Sequence, residues 1–248
     1  MRPHRLSASR VHLARYCLHT MRGDVTLPRD EPGPAALRGT ALHAAVEDYL
    51  RHGVLLTDTE GDPSVFRMFA AWLDWYDTQP EAGAQGDMMA GAFVTEVALM
   101  LDVGRGRARI LDVPEPRRYP VHGAHEMPLT VDAVAFDEHG VACVTDWKTG
   151  SPATDHGDQL VTCALAAALA YRCDAARYRA VHVTEQTTYA DEWTDLDALD
   201  LDAHLSWLRS RMAAIPGAPP VAGAHCKGHW CPLREKCLPH REWLKEHR

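Results

Sequence analysis

The chain has 248 residues, 46% of them apolar, enough to bury a substantial core as one large domain with an appended module. No apolar run approaches the roughly eighteen residues that span a bilayer, and Met1-Arg2-Pro3-His4-Arg5 leads into an amphipathic segment without a signal-peptide core, so a cytoplasmic protein with no membrane partner is expected. Seven cysteines, odd in number and unevenly spread, argue against a secreted disulfide framework, and a net charge of -8 restricts any nucleic acid to one local basic stripe.

In chain order, Ser7 or Ser9 can cap a helix running through about Arg22. Beyond Pro32-Gly33-Pro34, apolar residues at helical spacing predict a helix to about His52, with His43 and Glu47, four apart, on one face. Phe66, Phe69, Ala70, Leu73 and Tyr76 mark a second helix between Pro63 and Thr78, its aromatics read as core. Four strands then form a largely antiparallel meander, at about 93–102, 108–113, 129–137 and 141–148. A helix from about Asp155 to Tyr171, with Gln159 at its start, a strand from Tyr178 to Thr184 and a helix from Leu201 to Ile215 precede a cysteine-rich tail. The expected class is α/β, a mixed and largely antiparallel sheet flanked by helices. Its parts are residues 1–34, a helix and loop carrying the first cysteine, a core over 35–215, and a cysteine module over 216–248.

The hairpin from Leu129 to Lys148 carries the chemistry. Glu138-His139-Gly140 suits a three-residue loop whose last position needs positive φ, which glycine supplies without strain. If Asp137 pairs with Val141, then Phe136 faces Ala142, Val134 faces Val144, and Asp132 lies opposite Asp146 with Lys148 on the same side. Facing carboxylates repel, so the arrangement makes sense mainly around a cation. A divalent metal flanked by a lysine outlines a phosphodiester-hydrolysing site. Asp146-x-Lys148 alone is a weak motif whose bland reading is a solvated strand face.

Taken together, Gly39-x3-His43, Asp132, Asp146-x-Lys148, Gln159 and four cysteines split one and three resemble a RecB-type nuclease of the PD-(D/E)XK superfamily. The branch it resembles carries an iron–sulfur module and includes the CRISPR-associated adaptation exonucleases, the AddB nuclease domain and phage homologues. The chain departs from that pattern at Val131, where a glycine is common, at Cys163, where a tyrosine is usual, and in a spacing of four residues between Cys226 and Cys231. The resemblance implies a restriction-endonuclease-like core and a Mg²⁺- or Mn²⁺-dependent DNA exonuclease. Asp132, Asp146, the Trp147 carbonyl and His43 would be metal ligands, with Glu96 supporting a metal through water. Lys148 would orient or help deprotonate the attacking water, and Gln159 would hold Lys148 or a phosphate. A histidine ligand would tilt the site toward Mn²⁺.

For Cys17, Cys226, Cys231 and Cys237 two readings stay open: Zn²⁺, with His225 or His229 as an alternative fourth ligand, or the [4Fe-4S] cluster that the resemblance favours. Cys143, Cys163 and Cys173 sit in apolar contexts and read as buried small hydrophobes. Basic stripes at Arg105, Arg107 and Arg109, at Arg117 and Arg118, and from Lys227 through Arg234, Lys236, Arg241 and Lys245 are ordinary solvated charges taken singly, and the acidic stretch from Asp191 to Asp202 would repel DNA. The expected substrate is single-stranded or ended DNA. The alternatives are an inactive DNA-binding or assembly subunit and a site-specific endonuclease. Polarity, a homo-oligomer, and a recombination, CRISPR or phage protein partner stay open.

Overall fold

The computed structural model describes residues 4–27, 31–57, 61–79, 93–113, 119–149, 156–223, 226, 231, 233 and 237–246. A seven-stranded sheet forms the centre, in strand order β2-β1-β3-β4-β5-β6 with β7 also paired to β5. The strands are β1 (Val94–Asp102), β2 (Arg107–Ile110), β3 (Glu126–Phe136), β4 (Ala142–Lys148), β5 (Ala176–Val183), β6 (Thr188–Ala190) and β7 (Thr194–Leu196). All neighbours are antiparallel except β4 and β5, which the helix α3 (Gly157–Tyr171) joins as a parallel crossover. One face packs on α3, α4 (Ala198–Ala214) and the N-terminal segment. The other carries α1 (Pro34–His52) and α2 (Pro63–Tyr76).

Local chemistry explains the helices. Proline at the first turn and Gly53 at φ +67° delimit α1. The Asp62 side chain accepts from Ser64 N and starts α2, whose Phe69, Trp72 and Tyr76 are buried as a stacked row. In α3, Ala164, Ala166, Ala167 and Ala168 are all buried, and their small side chains let the helix lie close on the sheet. A capping box between Asp197 and Asp200 starts α4 earlier than the expected Leu201.

The N-terminal segment differs from the expected helix. It forms two 3-10 turns, Ala8–Arg15 and Leu18–Met21, and Ser7 precedes the first without a side-chain cap. Its apolar residues Leu6, Val11 and Met21 are buried against the sheet, so tertiary packing outweighs helical propensity. A clamp holds it there: Arg15 makes a bidentate ion pair with Asp158 in the first turn of α3 and lies 5.1 Å from the Trp207 ring of α4.

The hairpin register is the expected one. Asp137 N donates to Val141 O at 3.3 Å, Phe136 pairs with Ala142 and Val134 with Val144, and Gly140 has φ +76°. Strand β3 starts earlier than expected and includes Pro128, which pairs with Met100 of β1. The β4 ladder begins only at Ala133, so the other edge of this half of β3 borders a cavity and needs no N–H from Pro128.

Candidate active site

The side chains at the site come from α1, β1, β3, β4 and α3. On α1, Gly39 precedes His43 by one turn, and a Cβ there would lie 2.8 Å from Thr149 Oγ1. Glycine therefore lets α1 close on the end of β4, where His43 Nε2 donates to the Trp147 carbonyl at 3.0 Å.

The two carboxylates facing His43 sit where the ladder between β1 and β3 is interrupted with its register unchanged. Thr95 pairs with Ala133 and Val97 with Val131, leaving Glu96 and Asp132 between. Glu96 has φ +48°, a backbone state that costs a non-glycine residue about 1 kcal/mol. On one side of this break Thr95 takes two hydrogen bonds from Arg51 of α1, while on the other Val97 joins the core under α3. The in–out alternation thus reverses at the two acidic residues on both strands at once: Val131 lies in the core under α3 and Ala133 in the core under α1 and α2. His43 Nδ1 lies 3.6 Å from Glu96 Oε1 and 3.5 Å from Asp132 Oδ1, and ligand atoms of the three residues fall within 4.8 Å of one another. Asp132 Oδ2 accepts from Trp147 N at 2.9 Å.

Asp146 and Lys148 form the adjoining half. Lys148 Nζ is 2.6 Å from Asp146 Oδ2 and donates to Gln159 Oε1 at 3.2 Å, while Gln159 Nε2 donates to Asp146 Oδ1 at 3.0 Å. The amide of Gln159 thereby fixes both partners. Asp146 belongs to this network and not to the three-residue cluster. Glu47, expected on the His43 face, pairs instead with Arg51 at 2.8 Å.

Charge is strongly frustrated here. Burial opposes the His43 cation, but Asp132, with Glu96 and Asp146, raises its pKa to about 10. Burial also works against the Asp132 carboxylate, yet the His43 charge and the Trp147 N–H hold it below the ordinary range. Burial and the nearby Asp132 charge push Asp146 up to about 6 against the pull of Lys148. A protonated imidazole is thus the stand-in counter-ion of the cluster. His43 Nδ1 and Glu96 Oε2 are buried without a hydrogen-bond partner. Two carboxylates and one imidazole nitrogen, with His43 Nδ1 and Glu96 Oε2 left unsatisfied, fit a divalent cation such as Mg²⁺ or Mn²⁺.

These groups open onto a cavity of about 590 Å³. His43, Asp132, Asp146, Trp147, Lys148 and Gln159 line it from the sheet side, and Arg5, Ser7, Ser9, Arg10, Tyr119 and His122 also border it. Glu96 stands closer to the centre than the sequence reading puts it. A lone carboxylate inside the apolar run Val94 to Leu101 is its visible signal. Arg5 and Arg10 are absent from the basic stripes that the sequence suggests, although no acidic residue precedes Asp24. Arg105 pairs with Asp102 at 3.1 Å and Arg109 approaches Glu126 at 4.0 Å, so that stripe is largely self-neutralised. Arg117, Arg118, Lys227, Arg234 and Lys236 lie outside the described residues, and Arg241 and Lys245 are exposed on α5 (Leu238–Glu246).

None of the seven cysteines is in a disulfide. Cys17, Cys226 and Cys231 are buried and Cys237 is half-buried. Burial raises the Cys226 and Cys231 thiols, and Cys17 and Cys237 add to both shifts. The four thiols are thus within electrostatic reach of one another, while the close-set metal-donor group among the described residues is that of His43, Glu96 and Asp132. His225 and His229 lie outside the described residues. Cys143 and Cys163 are buried in strand and helix, and Cys173 is half-buried.

Among the described residues no helix is long and apolar enough to cross a membrane. A model of the PD-(D/E)XK nuclease superfamily matches residues 5–238. Comparison with curated proteins gives no match. A solved structure titled "Crystal structure of SSO0001" is 16% identical over 70% of this chain and 72% of its own, with a TM-score of 0.33.

Proposed function

The chain belongs to the PD-(D/E)XK nuclease superfamily, and from that premise we propose that it is a RecB-type, Mg²⁺- or Mn²⁺-dependent DNA exonuclease acting on single strands or DNA ends. The observation that supports this reading best is one cavity in which the His43, Glu96 and Asp132 cluster adjoins the Asp146, Lys148 and Gln159 network. His43, Glu96 and Asp132 would hold the metal, with Asp146 and the Trp147 carbonyl beside them. A bound divalent cation supplies neutralisation of the phosphate charge and lowers the pKa of a coordinated water.

The remaining work falls to the chain's own residues. Hydrolysis adds a water oxygen to phosphorus and breaks the bond to a sugar oxygen, which leaves with a proton. Lys148, held by Gln159, orients the attacking water and balances negative charge on the phosphoryl oxygens. Asp146 keeps the Lys148 ammonium in place. Trp147 N fixes one oxygen of Asp132, so the other is aimed at the cluster. His43 must give up a proton to become a ligand, which ties metal binding to pH.

Within the same reading, Cys17, Cys226, Cys231 and Cys237 hold a [4Fe-4S] cluster that staples the N-terminal segment to the tail of an otherwise nuclease-like core. The electrostatic reach of the four thiols to one another and the lack of a disulfide among them support it. The expected setting is DNA processing in recombination, phage or CRISPR biology. The test is digestion of end-labelled single-stranded DNA with each terminus blocked in turn, alongside a sealed plasmid circle. Release of mononucleotides from one open end is expected, and cleavage of the circle at one defined sequence would overturn the exonuclease reading.

A further inference from the structure

The residues before Asp24 include five arginines and no acidic side chain. Arg15 and Arg22 find carboxylates at Asp158 and Asp24. Arg5 and Arg10 have no carboxylate partner among the described residues, and both border the cavity that holds Lys148.

Arg5 is not a loose surface arginine. Its backbone N donates to Met21 O at 2.7 Å, and its neighbours His4 and Leu6 are both buried. Its Nη2 lies 3.5 Å from Gly23 O, a weak contact, and its Nη1 is buried with no hydrogen-bond partner. A buried guanidinium N–H without an acceptor is costly. Arg10, exposed at the rim of the cavity, stands close by: partial desolvation and the Arg5 charge hold its pKa below the ordinary value. Two cations that repel each other and lack a counter-ion call for an anion from outside the chain.

The balance of charge names the class of anion. With a divalent cation on His43, Glu96 and Asp132, the cavity has three carboxylates, counting Asp146, against the metal, Lys148, Arg5 and Arg10, an excess of two positive charges. Each phosphodiester of a nucleic acid strand carries one negative charge, and arginine's fork of donors matches its two free oxygens. The hydroxyls of Ser7, Ser9 and Thr130 border the same space and add neutral donors. Resting on the nuclease reading above, we propose that Arg5 and Arg10 form a phosphate subsite that grips a backbone phosphodiester of the substrate strand beside the one being cleaved.

The test is fluorescence anisotropy of a labelled oligothymidylate titrated with the full-length protein across a salt series, with Ca²⁺ in place of Mg²⁺. Wild type, R5Q/R10Q and R5K/R10K are compared. The glutamine pair should raise Kd roughly 10-fold and flatten the dependence of log Kd on log salt by about 0.7 for each phosphate that is no longer neutralised. The lysine pair should keep the salt slope while binding more weakly, because charge remains and the fork does not. Mn²⁺ affinity and melting temperature should be those of wild type. A folded R5Q/R10Q protein with wild-type Kd and slope would overturn the subsite. If the pair misfolds, wild-type protein and oligonucleotides with one neutral methylphosphonate moved along the strand decide instead: weakening confined to a linkage beside the cleaved one supports the subsite, and indifference at every position refutes it. Arginine-dependent binding by a wild type that cleaves nothing in Mg²⁺ or Mn²⁺ would sink the nuclease reading alone; a cleaving wild type with an unaltered R5Q/R10Q would sink the subsite alone.

Discussion

The carboxylate centre and the cysteine module hold polar groups together by opposite means. At the centre, Asp132, Asp146 and Lys148 are positioned by β-ladder register, and the surrounding sheet would stand without them. The cysteines come from positions about two hundred residues apart, and all four fall outside the named helices and strands. A site carried by a sheet can lose a side chain and keep its shape. A site that itself closes a long loop cannot, because the closure is part of the fold.

The sharpest way to separate the two is to delete one group from each. Asp132→Ala, Asp146→Ala or Lys148→Ala should lower single-turnover cleavage by roughly a thousand-fold or more, without additivity between them. Circular dichroism and melting should stay near wild type, and Lys148→Ala should still bind Mn²⁺. Full Mn²⁺-supported activity in Lys148→Ala would remove the lysine from the chemistry.

Cys17→Ser should do the reverse and weaken the whole protein. Anaerobically purified wild type should be brown, with broad absorbance near 400 nm and about four irons per chain. The variant should be bleached and melt many degrees lower. A colourless wild type with one zinc, and a stable metal-loaded Cys17→Ser, would replace the cluster with a zinc site closed by a tail histidine.

A smaller effect is expected at Gln159, which touches Asp146 and Lys148 without belonging to the metal cluster. Gln159→Leu should reduce kcat by about 10- to 100-fold and leave Mn²⁺ affinity intact, since it only positions the lysine. Equal loss of metal binding would place it among the ligands.

The smallest effect concerns pH and the metal-free protein. The His43 pKa stands near 10 against an ordinary 6.5, so its stabilisation is complete below pH 6.5 and is lost as pH rises through about 10. Asp146 stands near 6 against 3.8, so its neutral form favours the fold below pH 3.8 and that advantage disappears as pH rises through about 6. Melting of chelator-treated protein should therefore fall by a few degrees from mildly acidic to alkaline pH, and Mn²⁺ should flatten the decline. Asp146→Asn should remove the acid limb alone. An unchanged acid limb in that variant would mean that Asp146 is not the group being titrated.

The hairpin is legible in the sequence because Glu138-His139-Gly140 fixes register locally, and register places Asp132, Asp146 and Lys148 without further information. The helices that carry His43 and Gln159 are legible through periodicity and punctuation, whereas the roles of the two residues come from the resemblance. The ladder interruption at Glu96 is not, since a positive φ on glutamate is imposed by packing and leaves no local signature. The N-terminal segment departs from the expected helix for a related reason: Leu6, Val11 and Met21 are buried on a sheet that lies far away in sequence, and the segment folds there as 3-10 turns. Strands β6 and β7, three residues each, are too short to stand out, and β7 lies within the acidic stretch.

Arg15 and Asp158 carry a further meaning. Asp158 is the residue before Gln159, so the clamp joins the segment bearing Cys17 to the turn that sets Lys148. That segment is also buried on the sheet through Leu6, Val11 and Met21, so its packing and the seating of α3 are coupled through one ion pair. The clamp therefore works as a tie-rod: loosening the N-terminal segment would free the first turn of α3 and, with it, the Gln159 amide that holds Lys148 and Asp146.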